Sequence, residues 1–174
     1  MRDAVEGERV VQTALCSLLY VGHGPYIVRH ERESAGGFID IAFEPQLARW
    51  PEIGHAALVE LKYLKASDDA SPAALAKIRD TAAAQLEPGV GEFLARIYSG
   101  RVSAAYPAYP EGPLARTHYI IGRDDGKTPR IDRDTLESGI VAIVRTWSDG
   151  IKDVLDRQKA GPAGRALAER YAEA

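Results

Sequence analysis

The spacing of apolar and polar residues along the chain predicts an α/β protein. Apolar side chains recur every three or four positions in three long segments, as in amphipathic helices: residues 8–20, 73–86 and 134–157. Shorter apolar runs bounded by glycine and proline are typical of strands: residues 26–33, 38–44, 56–63 and 116–121. The order of these segments predicts a mixed central sheet flanked by helices, with further helices towards the C-terminus.

Punctuating residues set the expected ends of the second helix. Ser71 is placed to cap it, and Pro72 occupies its first position. Pro88-Gly89 predicts its end, because proline and glycine are poor residues for a helix interior. A separate short helix is then expected at residues 91–98, followed by a strand at 101–106.

The third long helix is expected to begin at the sequence DTLE, residues 134–137, which resembles a capping box. Its predicted apolar stripe consists of Leu136, Ile140, Val144, Trp147, Ile151 and Val154. Gly161-Pro162 predicts its end, and a last helix is expected beyond, with Leu167 and Tyr171 on one face.

Length and composition favour an ordinary globular protein of one domain or two small ones, since the 174 residues are 45% hydrophobic and 27% charged. The single cysteine, Cys16, excludes an internal disulfide framework and a multi-cysteine metal site. No apolar run approaches the ~18 residues of a membrane span and the N-terminus is acidic, so we expect a cytoplasmic protein without membrane contact. The net charge of −3 argues against a surface that binds nucleic acid throughout, but it leaves room for a local site.

One predicted strand, residues 56–63, carries two charged residues inside an apolar run. Glu60 and Lys62 are two positions apart and therefore lie on the same face, and Asp40 interrupts the preceding strand in a similar way. If the two strands pair antiparallel, Asp40 and Glu60 come within reach of one cation, and Mg²⁺ prefers such oxygen ligands. Lys62 would then orient or help deprotonate a water, or neutralise charge on a phosphate. The spacing alone also fits a solvated edge or a cross-strand ion pair.

These charged residues are part of a longer pattern. The runs GGFIDIAFE and HAALVELKYLK, followed by a helix that ends in AAAQL, resemble the PD-(D/E)XK nuclease superfamily, and within it the nuclease-like domain attached to bacterial AAA-ATPase-like proteins. The resemblance covers about residues 4–86 and implies a restriction-endonuclease-like αβββαβ core. The chain departs from the pattern at Gly37-Phe38, where relatives often have Gly-Arg.

The nuclease resemblance implies a set of functional residues. The implied metal ligands are Asp40, Glu60, Glu8 and Glu33, and the implied catalytic residues are Lys62, Glu60, Asp40 and Gln85. In this scheme Lys62 is the catalytic lysine, Glu8 and Glu33 are accessory acids, and Gln85 is a polar group that lines the site. The metal would be Mg²⁺ or Mn²⁺, and the reaction would be hydrolysis of a DNA phosphodiester that leaves a 5′-phosphate. Nucleic acid and an AAA-ATPase are the implied partners.

A different resemblance covers about residues 90–174. The runs EGPLARTHYIIGRDDGKTP, IVRTWSDGIKDVLDRQ and GRALAERYAEA are similar to large bacterial NAD-specific glutamate dehydrogenases, in a regulatory ACT-like and helical region upstream of the catalytic domain. We therefore expect a chimera-like chain, with a nuclease-like core at residues 1–90 and a dehydrogenase-like part at 91–174 packed on the same sheet. The alternative function is a non-catalytic regulatory or scaffold module. The sequence leaves the oligomeric state open.

Overall fold

The computed structural model describes residues 2–20, 24–34, 37–98, 113–124 and 129–162. Within these ranges the chain forms helices and strands in the following order: α1 (Arg2–Leu19), β1 (Tyr26–Ser34), β2 (Gly37–Pro45), β3 (His55–Leu64), α2 (Pro72–Ile97), β4 (Leu114–Asp124), β5 (Pro129–Ile131) and α3 (Arg133–Ala160). No helix in the described ranges is long and apolar enough to span a membrane.

The strands form one mixed sheet in the order β1-β2-β3-β4-β5. β1 pairs antiparallel with β2 and β2 with β3, whereas β3 and β4 are parallel and β5 returns antiparallel to β4. The parallel pair needs a crossover connection, and α2 lies in it. β3 is central and almost entirely buried, as expected for a strand that is covered on both faces. The predicted α/β fold, a mixed sheet between helices, is confirmed.

Helices cover both faces of the sheet, and each face has its own apolar core. The core under α1 and α3 includes Val11, Leu15, Ile41, Val59, Leu61, Ile120, Ile143 and Val154. The core under α2 consists of Ile39, Ala42, Ala56, Leu58, Leu86 and Phe93. Because alternate residues of β3 enter both cores, this strand is fixed from two sides and is a rigid support for any side chain at its ends.

α2 is one continuous helix with Pro88 in its interior. The prediction that Pro88-Gly89 ends the helix, and that residues 91–98 form a separate one, is therefore wrong. A proline removes one backbone hydrogen bond of the helix. Leu86 and Phe93, which lie before and after the proline, are both fully buried against the sheet. The burial of these side chains outweighs the lost hydrogen bond and keeps the two halves in one helix.

Both long C-terminal helices begin at side-chain caps. Ser71 Oγ accepts a hydrogen bond of 3.3 Å from Ala74 N at the start of α2, which confirms the predicted cap. At the start of α3 the cap is Asp132, whose Oδ1 accepts from Thr135 N at 3.2 Å. The helix therefore begins slightly earlier than the predicted start at residues 134–137. The reason is that Asp132 already accepts from the first free backbone donors of the helix.

α3 packs on the sheet through only part of the stripe that the sequence predicts: Val154 lies in the core and Leu136 packs against it. Three members of the predicted stripe are exposed, namely Ile140, Val144 and Trp147, while Ile143 and Thr146 are buried instead. Two glycines explain the rotation of the helix. A Cβ atom at Gly139 would overlap His118, and a Cβ at Gly150 would overlap Tyr26. The helix approaches the sheet most closely where it presents glycine, and this leaves large apolar side chains beside the contact rather than within it.

Two predicted elements lie outside the described residues. They are the strand at 101–106 and the last helix, with Leu167 and Tyr171.

Candidate active site between β2 and β3

The backbone ladder between β2 and β3 stops beside the charged residues that the sequence singles out. Its paired residues are Ile41 with Val59, Ala42 with Leu58, and Phe43 with Ala57. The next pair in this register would place Asp40 opposite Glu60. Instead, Asp40 Oδ2 accepts a hydrogen bond of 2.6 Å from Leu61 N. A carboxylate thus replaces the backbone carbonyl of a partner strand at the point where the two strands part, and this holds Asp40 against β3.

Glu60 and Lys62 are joined directly. Lys62 Nζ donates to Glu60 Oε1 at 2.6 Å, a short charge-assisted hydrogen bond. The Glu60 side chain is 8% exposed and the Lys62 side chain 24%. Because the lysine keeps part of its surface in solvent, it lies at the mouth of the site, with the glutamate behind it.

Burial makes the charged forms of both acids unfavourable. Burial is the largest cause of a raised pKa at Asp40, opposed by the hydrogen bond from Leu61 N and by the charge of Lys62. The pKa of Glu60 is also raised, first by burial, and the hydrogen bond from Lys62 opposes the rise while the charge of Asp40 adds to it. Two neighbouring acids whose ionisation is unfavourable are typical of a site that can take up a proton or a cation.

Glu8 reaches this cluster from α1. Burial is the main cause that raises the pKa of Glu8, the charge of Asp40 raises it further, and the charge of Lys62 lowers it. A close helix contact brings Glu8 there, because a Cβ at the preceding residue, Gly7, would overlap the ring of Tyr63. Only a glycine allows α1 to lie so near to β3, and the next residue on the helix is then carried to the site.

Gln12, one helical turn after Glu8, was missed by the sequence analysis. Its Nε2 donates to the main-chain oxygen of Asp40 at 2.9 Å, and the residue is buried. Asp40 is therefore held at two points, by Gln12 through its carbonyl and by Leu61 through its carboxylate. The signal that would have found Gln12 is its spacing of four from Glu8, since both residues then lie on one face of the helix.

Glu31, on β1, is a second residue that the sequence did not indicate. It has a φ of 50°, the left-handed region that a non-glycine residue rarely adopts. The paired residues on either side of it are His30 with Ile41 and Arg32 with Ile39, so Glu31 lies across from Asp40. Its charge contributes to the raised pKa of Asp40. No sequence pattern marks a strand residue for a left-handed backbone, which is why the residue was missed.

The structure says less about the two remaining residues of the nuclease pattern. Glu33 belongs to β1, where it pairs with Phe38, but its side chain is not among those that the structure describes. Gln85 is exposed on α2. The structure therefore brings together Glu8, Asp40, Glu60 and Lys62, and these four residues define the candidate site.

The donor atoms at the candidate site suit a hard divalent cation held by few protein ligands. In the part of the chain that the structure describes, no group of three or more histidine, cysteine, aspartate or glutamate side chains is placed to hold a metal ion. Asp40 and Glu60 offer two carboxylates, and Mg²⁺ is commonly bound by one or two carboxylates with water and other oxygens completing the shell. Such a cation would also favour the charged forms of both acids, which burial makes unfavourable.

Two family models match the chain. Residues 6–88, from α1 into α2, match the PD-(D/E)XK nuclease superfamily. Residues 77–148, from α2 through β4 and β5 into α3, match the ACT2 domain of glutamate dehydrogenase. Each match covers less than half of the chain, so each shows what one part of the protein resembles. No curated protein and no solved structure matches the chain.

Both resemblances drawn from the sequence are thereby confirmed. The first has nearly the predicted extent, and all four residues of the candidate site fall inside it. The second begins at residue 77, inside α2, rather than near residue 90, and it ends at residue 148. The two matches consequently share residues 77–88, and the seam between them lies within a single helix.

Proposed function

We propose that the protein is a metal-dependent nuclease-like enzyme that hydrolyses DNA phosphodiesters at the site of Asp40, Glu60 and Lys62. The observation that supports this most is the 2.6 Å contact of Lys62 with a buried glutamate directly beside a second, half-buried acid. A lysine that only solubilises a strand edge would extend into water rather than along a pair of acids. The match of residues 6–88 to the nuclease superfamily supports the same reaction class.

The residues have distinct roles in this proposal. Asp40 and Glu60 hold the cation, Mg²⁺ or Mn²⁺, which when bound supplies positive charge against the charge that develops on the phosphate. Lys62 Nζ, at the mouth of the site, orients the attacking water or stabilises the phosphate oxygens. Glu8 acts as an accessory acid, through its charge on Asp40 and Lys62.

Some parts of the proposal rest on the nuclease resemblance alone. These are DNA as the substrate, the 5′-phosphate product, an AAA-ATPase partner, Glu33 as a further ligand and Gln85 as a polar group at the site. A cytoplasmic location belongs to the same proposal. So does the division into a nuclease-like part at residues 1–90 and a dehydrogenase-like part at 91–174.

Metal binding and strand cleavage test the proposal together. We expect calorimetry to detect Mn²⁺ or Mg²⁺ binding to the wild type, and plasmid nicking to depend on that cation. Glu60→Gln is expected to lose both, and Lys62→Ala is expected to lose cleavage while keeping metal binding, because the lysine is not a ligand. A wild-type protein that binds no divalent cation at millimolar concentration would contradict the proposal.

A second candidate function is a non-catalytic regulatory or scaffold module. The observation that favours it is the match of residues 77–148 to the glutamate dehydrogenase ACT2 domain, which takes in most of the chain after β3. Under this alternative the acids and Lys62 are an inherited cluster without a reaction. The same experiment separates the two functions, since a scaffold would show neither cation binding nor cleavage.

A further inference from the structure

α3 has one exposed flank that is apolar and another that is polar. The apolar stripe consists of Ile140, Val141, Val144, Trp147 and Leu155, which are between 37% and 54% exposed, together with the half-buried Ile151. The polar flank carries Ser138, Arg145, Lys152 and Asp156, all exposed. No described element covers the apolar stripe. Scattered apolar residues on a surface are ordinary, but a continuous row along about 22 Å of one helix indicates a contact surface.

We propose that this stripe binds a second copy of the chain, with the two α3 helices antiparallel. Ile140, Val144, Trp147 and Ile151 are spaced by four, three and four residues, which is the repeat of a seam between paired helices. A single partner helix laid along α3 therefore covers the whole row. This inference is independent of the proposed nuclease activity.

The order of apolar residues in the stripe is the same when it is read in either direction along the helix. An antiparallel copy of the same helix therefore matches it, and this identifies the partner as a second copy of the chain. Pairing about a centre between Trp147 and Ser148 places Ile140 against Leu155 of the other copy, and Val144 against Ile151. The same contacts then occur twice, as a two-fold axis requires. An unrelated partner would have no reason to match this palindromic order.

Charges at the two ends of α3 select the antiparallel direction. Asp134 and Glu137 lie near its N-terminal end, where Glu137 also binds Arg133, and Arg157 and Lys159 lie in its last turn. Antiparallel copies bring the acidic end of one helix to the basic end of the other at both ends of the interface. A parallel pair would oppose like charges and like ends of the helix dipoles.

The size of the wild-type particle is the first test. We expect sedimentation and light scattering to give twice the 18.9 kDa of the chain. Val144→Glu should weaken the dimer by ~30-fold or more, because it puts a charge into the apolar seam. The neighbouring change Arg145→Glu, on the polar flank, is the matched control and should leave the dimer intact. A wild-type chain that stays monomeric up to sub-millimolar concentration would overturn the proposal.

Cysteine crosslinking tests the direction. In a Cys16→Ser background, Ser148→Cys lies at the proposed axis and should form a disulfide between copies under mild oxidation. Ile140→Cys alone should not, whereas Ile140→Cys combined with Leu155→Cys should. Lys152→Cys on the polar flank should remain unlinked. If Ile140→Cys alone crosslinks as readily as Ser148→Cys, the helices are parallel and the proposed pairing is wrong.

Discussion

The two ends of β3 hold charged residues in opposite ways. At its start, His55 lies in a cluster that links β3 and β4 to α3; this His55 cluster also contains Arg116, Thr146, Asp149 and Asp153. Asp153 Oδ2 accepts from Gly54 N at 3.1 Å and lies 3.9 Å from His55 Nε2. Arg116 donates to Thr146 Oγ1 at 3.1 Å and also pairs with Asp149. Here each acid has a basic or amide donor on another element.

At the other end of β3, the acidic side chains that the structure describes outnumber the described basic ones. Glu8, Asp40, Glu60 and Glu31 influence one another there, and Lys62 is the cation that acts on the first three. The only direct ion pair of the candidate site joins residues two apart on the same strand, so among the described residues it ties no elements together. The balanced end stabilises the fold, whereas the unbalanced end favours the binding of a proton or a cation, as the proposed function requires.

The largest expected effect separates chemistry from folding at the unbalanced end. Lys62→Met should lower the rate of metal-dependent cleavage by ~10²–10⁴-fold, the range for a side chain that positions or moves a proton. Lys65→Met, an exposed lysine just after the same strand, is the matched control and should cleave normally. Single-turnover cleavage of a labelled substrate measures both. Equal rates for the two variants would remove Lys62 from the mechanism.

The balanced end should respond in stability rather than in activity. Asp153→Ala leaves the Gly54 amide without this acceptor and removes the carboxylate beside the buried His55, and we expect a loss of ~1–3 kcal/mol in the free energy of unfolding. Asp156→Ala, exposed one turn further along α3, should cost almost nothing. Urea denaturation gives both values. If the Asp153 variant keeps full stability, the His55 cluster does not stabilise the fold in the way that we propose.

Gln12 tests whether the position of Asp40 is adjusted from α1. Gln12→Leu keeps the volume but removes the donor to the Asp40 carbonyl, and we expect ~10-fold weaker binding of Mn²⁺, as is usual when a group that orients a ligand is removed. The rate at saturating metal should change less, because Gln12 does not touch the substrate. Thr13→Leu, its exposed neighbour, is the control. A reduced rate with unchanged metal affinity would contradict this role.

Removing an acid at the unbalanced end should stabilise the protein. Because the pKa of Glu60 is raised in the folded state, its ionisation lowers stability once the pH exceeds the unfolded value of 4.5. Glu60→Gln should therefore raise the free energy of unfolding at pH 7, by ~0.5–2 kcal/mol, the range of a typical stabilising substitution. Glu87→Gln on the exposed side of α2 should have no effect. Thermal unfolding without metal measures the difference, and a destabilised Glu60→Gln would show that the Lys62 contact matters more than burial.

The smallest effect is a pH dependence of opposite sign at the two ends. The pKa of His55 is lowered by burial first and by Arg116, against the charges of Asp153 and Asp149. The folded state therefore binds its proton less readily than the unfolded state, and stability should fall as the pH drops below 6.5. The acids of the candidate site have raised pKa values, so the protein gains stability as the pH falls towards their unfolded values, 4.5 for Glu60 and 3.8 for Asp40. His55→Gln should remove the loss, whereas the exposed His30→Gln should not, as followed by urea midpoints between pH 7.5 and 5.5.

The sequence was sufficient for the fold where periodicity and burial agree. Ser71 and Pro72 predicted the start of α2, and the alternation around Glu60 and Lys62 predicted a strand with both charges on one side. The sequence was insufficient at Pro88, where the helix continues although proline is a helix-breaking residue. The helix continues because Leu86 and Phe93 are buried against the sheet, and this tertiary contact cannot be read from the periodicity of the sequence.

The sequence also did not reveal the close helix contacts that are possible only because glycine has no side chain. Gly139 and Gly150 turn α3 so that several of its large apolar residues are exposed, and Gly7 brings α1 to Tyr63. In a sequence these glycines read as weak points of a helix rather than as contact points. The acids and the lysine of the candidate site were predicted from the sequence. Gln12 was missed because only its spacing of four from Glu8 marks it, and Glu31 was missed because a left-handed backbone leaves no sequence pattern.

The continuity of α2 has a practical consequence for separating the nuclease-like part of this chain from the dehydrogenase-like part. A polypeptide cut at residue 90 would retain every acid of the candidate site and Lys62, yet it would sever the helix ahead of Phe93. It would also lose β4, which pairs with β3 from His55 to Leu64. The central strand β3 would then become an exposed edge strand, which is prone to aggregation. Because the two parts share α2 and one sheet, point substitutions in the intact chain, rather than truncations, are the way to separate their contributions.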